Sequence, residues 1–524
     1  NYNEAHIDYT SLLAGALLRL PADWQLSADI QAARNVSRYR GLAGVDHNRW
    51  QQLVDQGRYN PLRDTQLHAP PAAFYEEVLL YQGGPDRFVK VGDYRTLDAA
   101  VRLTQPALPL PTGAAVLNLG ADYRQNRLAG FTDEKCYADG SLAQPPEVWA
   151  GRTLERYSFF GEMQAPLLPR SKLPSPLRGL EASLAVRYLA SDLGNETNTA
   201  PTLGLRAEFA GGLMLRGSVT TANRMPTPQM SRRLDLPAAP GSGLNLARIF
   251  DPRRNESYDV QADEALDILL NNEQAVTQTA GIVLQRGSVH RFRLALDFVA
   301  TTKANEILGL DPQAVLNLES VFPERVQRAP EIGGVPGLVS RVQTGPVNAS
   351  ERRSQNWTGS ADYLWSRCFG GTLALRGRLL WFQNYTTRLF SDGPRVNQLD
   401  RPDGSTPGLL RYRANFGAAW SNRDWGFGLD GQYFHSRRLP VAEWPSQAGR
   451  DIKPYWQQDI HAHINLARWL PGLLNRRDLR AQLRINNVFD AAFPRYANDP
   501  SGAGVQPYGD WRRRTYSLSV SAAF

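Results

Sequence analysis

The chain has 524 residues, of which 42% are hydrophobic and 21% charged, and its formal net charge at pH 7 is +8. Its mean hydropathy is -0.42 and no run approaches ~18 apolar residues, which excludes a protein that spans a membrane with helices. Two cysteines are too few for a disulfide framework, and the scattered basic residues predict no nucleic-acid partner, whereas anionic lipid headgroups or an anionic cargo fit the net charge.

Polar and apolar residues alternate with a period of two along most of the chain, which predicts β-strands with one apolar face. The first two strands, 7–20 and 24–37, are joined by the turn Pro21-Ala22-Asp23, and the polar stretch 39–86 is predicted to be a loop. Of the later strands, one is predicted to end near Thr104, and the others to lie within 115–123, 153–167, 180–188, 201–210, 213–224, 275–285, 290–302, 339–366, 372–387, 409–420, 425–435, 455–469, 479–490 and 516–524.

About seventeen strands are predicted, and the connections between them alternate between short and long. The short connections include 21–23, 211–212, 367–371, 421–424 and 471–478, and the long ones 39–86, 128–150, 225–272, 303–338, 390–406, 436–454 and 491–509. This alternation is typical of bacterial membrane barrels, which have short turns at one end and long loops at the other. Because such barrels have an even number of strands, the odd count predicts further strands upstream and a chain that is the C-terminal part of a longer barrel.

The last predicted strand has one apolar and one polar face. Its apolar face consists of Tyr516, Leu518, Val520, Ala522 and Phe524, which alternate with serines. Membrane barrels are apolar outside and polar inside, so this pattern predicts a strand that faces lipid. We therefore predict an all-β fold, a transmembrane antiparallel β-barrel.

Three residues of one predicted strand, Asp459, His461 and His463, point to the same face at i, i+2 and i+4. A metal site or a hydrolase dyad uses such groups, but ligands normally converge from several strands, and a polar inner face needs no further explanation. No other arrangement of Ser, His, Asp or Cys stands out. We predict no catalytic, cofactor-binding or metal site, and hence no enzyme.

Seven segments, in this order along the chain, resemble the TonB-dependent outer-membrane receptor family. They are GRYNPLRD, LNLGADYR, YSFFGEMQAPL, PTLGLRAEF, LMLRGSVTTANRMPTPQM, LRINNVFDAAFP and RTYSLSVSAAF. The resemblance implies a barrel of 22 strands with an N-terminal plug and a TonB box, of which these residues would supply only the last seventeen strands. Residues 1–524 are thus expected to be the C-terminal portion of the barrel domain, with the plug missing upstream.

The resemblance also implies a function. It predicts an outer-membrane receptor of a Gram-negative bacterium that binds a scarce, bulky nutrient at its loops, most often a ferric siderophore, and imports it with TonB-coupled energy. The implied partners are outer-membrane lipid, the TonB complex, the barrel assembly machinery and the small-molecule cargo. A terminal strand ending on Phe524 resembles the signal read by that assembly machinery. The alternatives are a passive porin and, less favoured, an outer-membrane enzyme.

Arginines and aromatic residues are the candidate cargo contacts, although no ligand-binding residue is assigned. The arginines predicted to face inward are Arg187, Arg206, Arg216, Arg291, Arg293, Arg376, Arg378, Arg411, Arg413, Arg480 and Arg484. They suit an anionic cargo, or else they pair with plug carboxylates and with inward residues such as Asp122, Glu162, Glu208 and Asp297. The loop aromatics considered for cargo stacking are Phe74, Tyr75, Tyr81, Trp149 and Trp444.

Overall fold

The structure is a computed structural model that describes residues 3–60, 62–63, 68–69, 71–143, 145–169, 174–192, 198–226, 246–264, 270–390, 393–400, 409–439, 443–468, 478–497, 504–505 and 508–523. Phe524, Trp469 and residues 227–245 and 265–269 of the predicted loop 225–272 lie outside these residues. No described helix is long and apolar enough to cross a membrane.

Seventeen strands form one curved antiparallel sheet in which each strand pairs with the next along the chain. The strands are β1 Asn3–Arg19, β2 Gln25–Val45, β3 Val89–Leu110, β4 Gly113–Leu128, β5 Arg152–Pro166, β6 Leu177–Ser191, β7 Asn198–Phe209, β8 Leu213–Arg224, β9 Glu273–Arg286, β10 His290–Leu310, β11 Val339–Cys368, β12 Gly371–Arg388, β13 Tyr412–Ser421, β14 Trp425–Phe434, β15 Tyr455–Asn465, β16 Asp478–Asn486 and β17 Thr515–Ala523. The predicted all-β barrel wall and its number of strands are confirmed.

Short and long connections lie at opposite ends of this wall, which we call the turn end and the loop end. The first turn shows why some connections stay short. Ala22 and Asp23 both have positive φ, of 59° and 61°, and the Leu20 N–H donates to the Trp24 carbonyl. Two left-handed residues match the twist of a tight hairpin, so β1 and β2 are joined by the predicted turn.

The outward face of the wall is apolar between two aromatic belts. The upper belt, near the loop end, contains the ring pairs Tyr123–Tyr157, Phe298–Trp357, Trp381–Tyr412 and Tyr433–Trp456. The lower belt, near the turn end, contains His290, Tyr363, Trp365, Trp425 and Phe427. Eight residues separate Trp357 from Trp365 on β11, about 26 Å along a strand. This spacing suits the apolar band of a membrane barrel once the strand tilt is allowed for.

The stretch 39–86, which was predicted to be a loop, contains helices and strands, so that prediction is wrong for much of its length. β2 continues to Val45, and the helices α1 His47–Asp55 and α2 Ala72–Val78 follow, before the strand Leu79–Gln82 returns to pair with β2. The helices enclose a small core of Leu53, Phe74 and Val78. Asp46 caps α1 by accepting a hydrogen bond from the Arg49 N–H.

The largest loop structure, which we call the loop cap, stands above β10 and β11. It consists of the hairpin Leu246–Asp251 and Glu256–Glu264, helix α3 Pro312–Asn317, the strand Val326–Arg328 and the first residues of β11. Both Glu256–Glu264 and Val326–Arg328 pair with β11, which therefore belongs to the wall and to the cap at once. The buried core of the cap is Ile249, Val260, Leu310, Val315, Leu316, Val339, Val342 and Val347.

Smaller elements complete the loop end. They are the paired strands Phe131–Asp133 and Glu147–Trp149, the strand Lys135–Cys136 beside Leu79–Gln82, the strand Val396–Asn397 beside β12, the paired strands Arg437–Arg438 and Asp451–Ile452, and helix α4 Trp444–Gln447. Cys136 lies among these loops and Cys368 at the turn end, and both thiols are buried and free.

Candidate functional site

The inward face of the wall is lined by ion pairs, most of which join two different strands of the sheet. Most of the arginines predicted to face inward have a carboxylate partner on the wall. The pairs are Arg187–Asp122, Arg206–Glu208, Arg216–Asp297, Arg376–Asp430, Arg378–Asp362 and Arg484–Asp459. The pairing alternative is thus observed for these residues. Strand register places an inward acid within reach of each guanidinium, except that Glu208 lies two residues from Arg206 on the same strand.

One inward niche near the turn end keeps an excess of positive charge. It has a volume of about 490 Å³, and its lining includes Arg291, Arg293, Arg376, Asp362 and Asp430. Arg293 lies 3.9 Å from Asp362, while Arg291 makes no ion pair with any described residue. A group with carboxylate or phosphate oxygens fits this niche because guanidinium groups bind such oxygens in pairs.

The strand residues Asp459, His461 and His463 do face inward together, as predicted, but they do not form one site. Asp459 accepts hydrogen bonds from Arg484 and from the Asn487 N–H. His461 instead lies 3.6 Å from Asp430, on the neighbouring strand β14. Among the described residues, no group of three His, Cys, Asp or Glu side chains is arranged to hold a metal ion.

Sequence reasoning missed a chain of charges on the inward face at the loop end. Lys303 contacts both Glu273, at 3.2 Å, and Glu306, at 3.0 Å. Arg224 contacts Glu273 and Arg352 contacts Glu306, so three cations share two almost fully buried carboxylates. The chain extends beyond the predicted strand end at Thr302. Strict alternation could not have revealed it, because a bulge between Lys303 and Glu306 shifts which residues face inward.

A second inward feature at the loop end combines aromatic rings with an exposed arginine. Phe434 and Tyr455 stack with centroids 6.2 Å apart, and Phe493 meets Tyr455 edge-on at 4.9 Å. The Arg413 guanidinium lies 5.4 Å from the Phe434 ring and 5.7 Å from the Tyr508 ring. Burial raises the pKa of Tyr508, which keeps its hydroxyl protonated beside the cation. Planar, anionic ligands suit this combination of rings and guanidinium.

Most of the loop aromatics considered for cargo stacking are used for packing within the loops. Phe74 is buried against Trp50 and Tyr59. Trp149 stacks on Phe131 with centroids 6.0 Å apart, and the Trp444 N–H donates to the Leu439 carbonyl. Tyr75 remains partly exposed. These rings therefore stabilise the loops at the entrance instead of forming one cargo platform.

The loop cap is held by a buried triad of charges. Arg328 donates to Asp251 at 2.6 Å and to Glu319 at 2.7 Å, and the Tyr258 hydroxyl also donates to Asp251. Burial acts to raise the pKa of Asp251, but the hydrogen bonds from Arg328, Tyr258 and the Arg253 N–H lower it to about 2. The cap is thus a compact unit whose charge centre is ionised at neutral pH.

Comparison with known proteins agrees with this architecture. The sequence matches the family described as TonB dependent receptor-like, beta-barrel, over residues 2–488. The search of curated proteins gave no match. The structure is similar to that of the siderophore receptor PirA from Acinetobacter baumannii, with a TM-score of 0.59 and 13% identity over 99% of this chain and 63% of the receptor.

Two further structures share the fold. One is a mutant of the ferric enterobactin receptor PfeA from Pseudomonas aeruginosa in complex with enterobactin, with a TM-score of 0.55 and 13% identity over 99% of this chain and 71% of that one. The other is the copper transporter OprC, with a TM-score of 0.52 and 12% identity over 98% and 65%. The chain thus spans about two thirds of the length of these proteins. It belongs to the TonB-dependent receptor family, whose members are found in Gram-negative outer membranes, and corresponds to its β-barrel.

Proposed function

We propose that the chain is the barrel part of an outer-membrane receptor that binds a scarce, bulky nutrient at its loop end and imports it with TonB-coupled energy. Ferric siderophores are the cargo class we favour. The observation that carries the proposal is the loop end itself. There, the loop cap and the aromatic rings around Arg413, among them Phe434 and Tyr508, lie at the end of a lumen lined with arginine. Such a surface recognises a large anionic chelate better than a small neutral solute.

We further propose that the complete protein contains additional strands and a plug. Among the described residues, β1 pairs only with β2, and β17 only with β16. A strand edge exposed to lipid leaves its N–H and C=O groups unsatisfied, so these two edges need partners. The related receptors are longer than this chain, which supports the same proposal.

The outward face of β17 is proposed to serve in assembly. Tyr516, Leu518 and Val520 are all well exposed on that face, and Ala522 follows them. This apolar ladder is available to the barrel assembly machinery and, after insertion, to lipid. The role of Phe524 in the same signal stays a prediction.

Uptake in cells tests the proposed function. A strain lacking the full-length receptor should lose growth on one class of ferric siderophore as sole iron source, and the wild-type gene should restore it. Uptake of the labelled chelate should stop when TonB is deleted or when the proton-motive force is collapsed. A control strain producing a known porin should be unaffected by either treatment. Uptake that survives loss of TonB would replace our proposal with a passive porin, and unchanged growth across all metal chelates would exclude this cargo class.

A further inference from the structure

Basic residues gather at two places on the outward face of the wall, just above the upper aromatic belt. The first, collar A, lies on β2 to β4, where Arg34, Lys90 and Arg95 all contact Asp93, at 2.7, 3.2 and 3.2 Å. Arg127 on β4 is directly opposite Arg95 in the strand register. Since paired residues of neighbouring strands point to the same face, all four cations are outward.

The second place, collar B, repeats this pattern on β11 and β12. Glu351 contacts Arg353 at 2.5 Å and Arg395 at 3.1 Å, and it also contacts Arg388, its partner in the strand register. Trp357 on β11 belongs to the upper belt and faces outward, so Arg353 and Glu351 on alternate positions of the same strand also face outward.

Both collars hold more positive charge than their own carboxylates neutralise. In collar B three arginines share one glutamate. In collar A four cations face Asp93 and, at a greater distance along the sheet, Glu155, which accepts hydrogen bonds from Gln125 and Tyr157. Each collar therefore keeps an excess of about two positive charges, counted from these side chains, which favours a bound anion.

The cations are also sterically available to an external group. Asp93 is only 2% exposed, whereas the side chains of Arg34 and Arg95 are 50% and 52% exposed. Arg127 is exposed and makes no ion pair with any described residue. In collar B, the Arg353 side chain is 52% exposed. The central carboxylates thus position the guanidinium groups and leave donors unused.

The distance of the collars from the upper aromatic belt indicates which external group they meet. Arg127 is four residues beyond Tyr123, and Arg353 is four residues beyond Trp357, about 13 Å along the strand in both cases. Aromatic belts lie at the boundary between hydrocarbon and headgroups, so cations at this distance beyond the belt meet the headgroup layer. Guanidinium groups bind phosphate oxygens in bidentate fashion.

We propose that collars A and B are binding sites for the phosphate groups of anionic lipids in the leaflet that surrounds the loop end. The inference rests on the membrane location of the barrel, but it requires neither a particular cargo nor TonB. Fixing lipid at two places on the circumference sets the depth of the wall in the membrane. It also holds the strands beneath the loop cap, because collar B lies on β11 directly below it.

Lipid retention by the full-length receptor tests the proposal. The receptor would be reconstituted in phosphatidylcholine nanodiscs containing a small fraction of diphosphorylated lipid A or of its dephosphorylated form, and bound lipid counted by native mass spectrometry. We expect selective retention of the phosphorylated form. Removing charge by Arg353→Gln with Arg395→Gln, or by Arg95→Gln with Arg127→Gln, should weaken retention about fivefold for each side chain changed.

Controls separate lipid binding from loss of folding and from binding of free phosphate. Arg127→Gln alone breaks no ion pair with a described residue. Reduced lipid retention by this variant therefore cannot be attributed to loss of folding. Arg367→Gln removes an exposed arginine at the turn end and should retain lipid A like the wild type. Millimolar inorganic phosphate should displace little lipid. Equal retention by the wild type and the collar variants, equal retention of both lipid forms, or displacement by inorganic phosphate would overturn the proposal.

Discussion

The loop cap and the spanning wall place their apolar and charged groups in opposite ways. The cap encloses aliphatic side chains around α3 and buries one charge triad, in which Asp251 is 0% exposed. The wall turns its apolar side chains outward, with Leu518 73% exposed, and places half-exposed ion pairs on its inner face. The cap therefore follows the rules of a water-soluble domain, whereas the wall is complete only with lipid outside and a polar lumen inside.

The ion pairs of the cap also differ from those of the inner wall. In the cap, removing one partner leaves a buried charge without compensation, which is costly. For the more exposed pairs of the inner wall, such as Arg216–Asp297, water replaces a lost partner at little cost. Charge at the cap is structural, whereas the more exposed charges along the lumen are able to exchange partners. The following substitutions test this contrast, from the largest expected effect to the smallest.

Replacing the central cation of the cap should have the largest effect. Arg328→Ala leaves Asp251 and Glu319 buried without a counter-charge, and we expect the cap to lose about 3–5 kcal/mol of stability. Hydrogen exchange of the cap amides should rise while exchange in β14 and β15 stays unchanged. Arg248→Ala, which removes an exposed partner of Asp259 on the same hairpin, is the control and should change little. Similar protection in both variants would show that the triad does not hold the cap.

A charge on the outer face of the wall should be nearly as costly. Leu518→Arg places a cation in the lipid-facing band, with an expected loss of roughly 2–4 kcal/mol near mid-membrane. The amount of receptor reaching the outer membrane should fall, as should its resistance to urea in vesicles. Ser519→Arg, on the inward face of the same strand, should be tolerated. Equal loss in the two variants would contradict the assigned faces of β17.

Acid should weaken the cap through Asp251. Its pKa is about 2 in the folded cap and ~3.8 in an unfolded chain, so its ionisation stabilises the cap above pH ~4, and that contribution is lost as the pH falls towards 2. The difference corresponds to about 2 kcal/mol. Limited proteolysis of the cap across pH 2–6, with Asp251→Asn as the comparison, measures it. A wild-type cap that is as resistant at pH 2 as at pH 6 would refute this contribution.

The smallest effect is expected for a pair on the inner wall. Arg216 and Asp297 are 2.7 Å apart but partly solvated, so Arg216→Gln should change stability by at most about 1 kcal/mol. A double-mutant cycle with Asp297→Asn in urea measures the coupling between them. Coupling as large as that of the cap triad would remove the distinction between the two regions.

Strand alternation made the wall predictable from sequence. A two-residue period identifies which residues share a face, so the inward position of Arg216 and the outward position of Leu518 required no structure. The partners of the arginines were predictable only in part. Asp297 was recognised as an inward acid, but its pairing with Arg216 depends on the register of β8, β9 and β10, which the pattern of one strand does not specify.

The loop cap was not predictable in this way because its core residues come from distant segments. Ile249, Val315 and Val342 are separated by long stretches of chain and follow no common period. The same holds for Leu53 and Phe74, which is why the helices α1 and α2 were missed. Asp311 caps α3 with Pro312 at its first position, a start signal that the sequence does contain.

The length of β11 couples the loop cap mechanically to the wall. The strand runs without interruption for 30 residues, from the cap sheet to the turn end, and its pairing with β10 continues up to Leu310 and Gly345. A force on the cap is therefore carried into the wall through a hydrogen-bonded ladder of two strands instead of being absorbed by a single-chain hinge. We expect the cap to stay fixed at the rim of the barrel, so that motions at the loop end are made by the other loops.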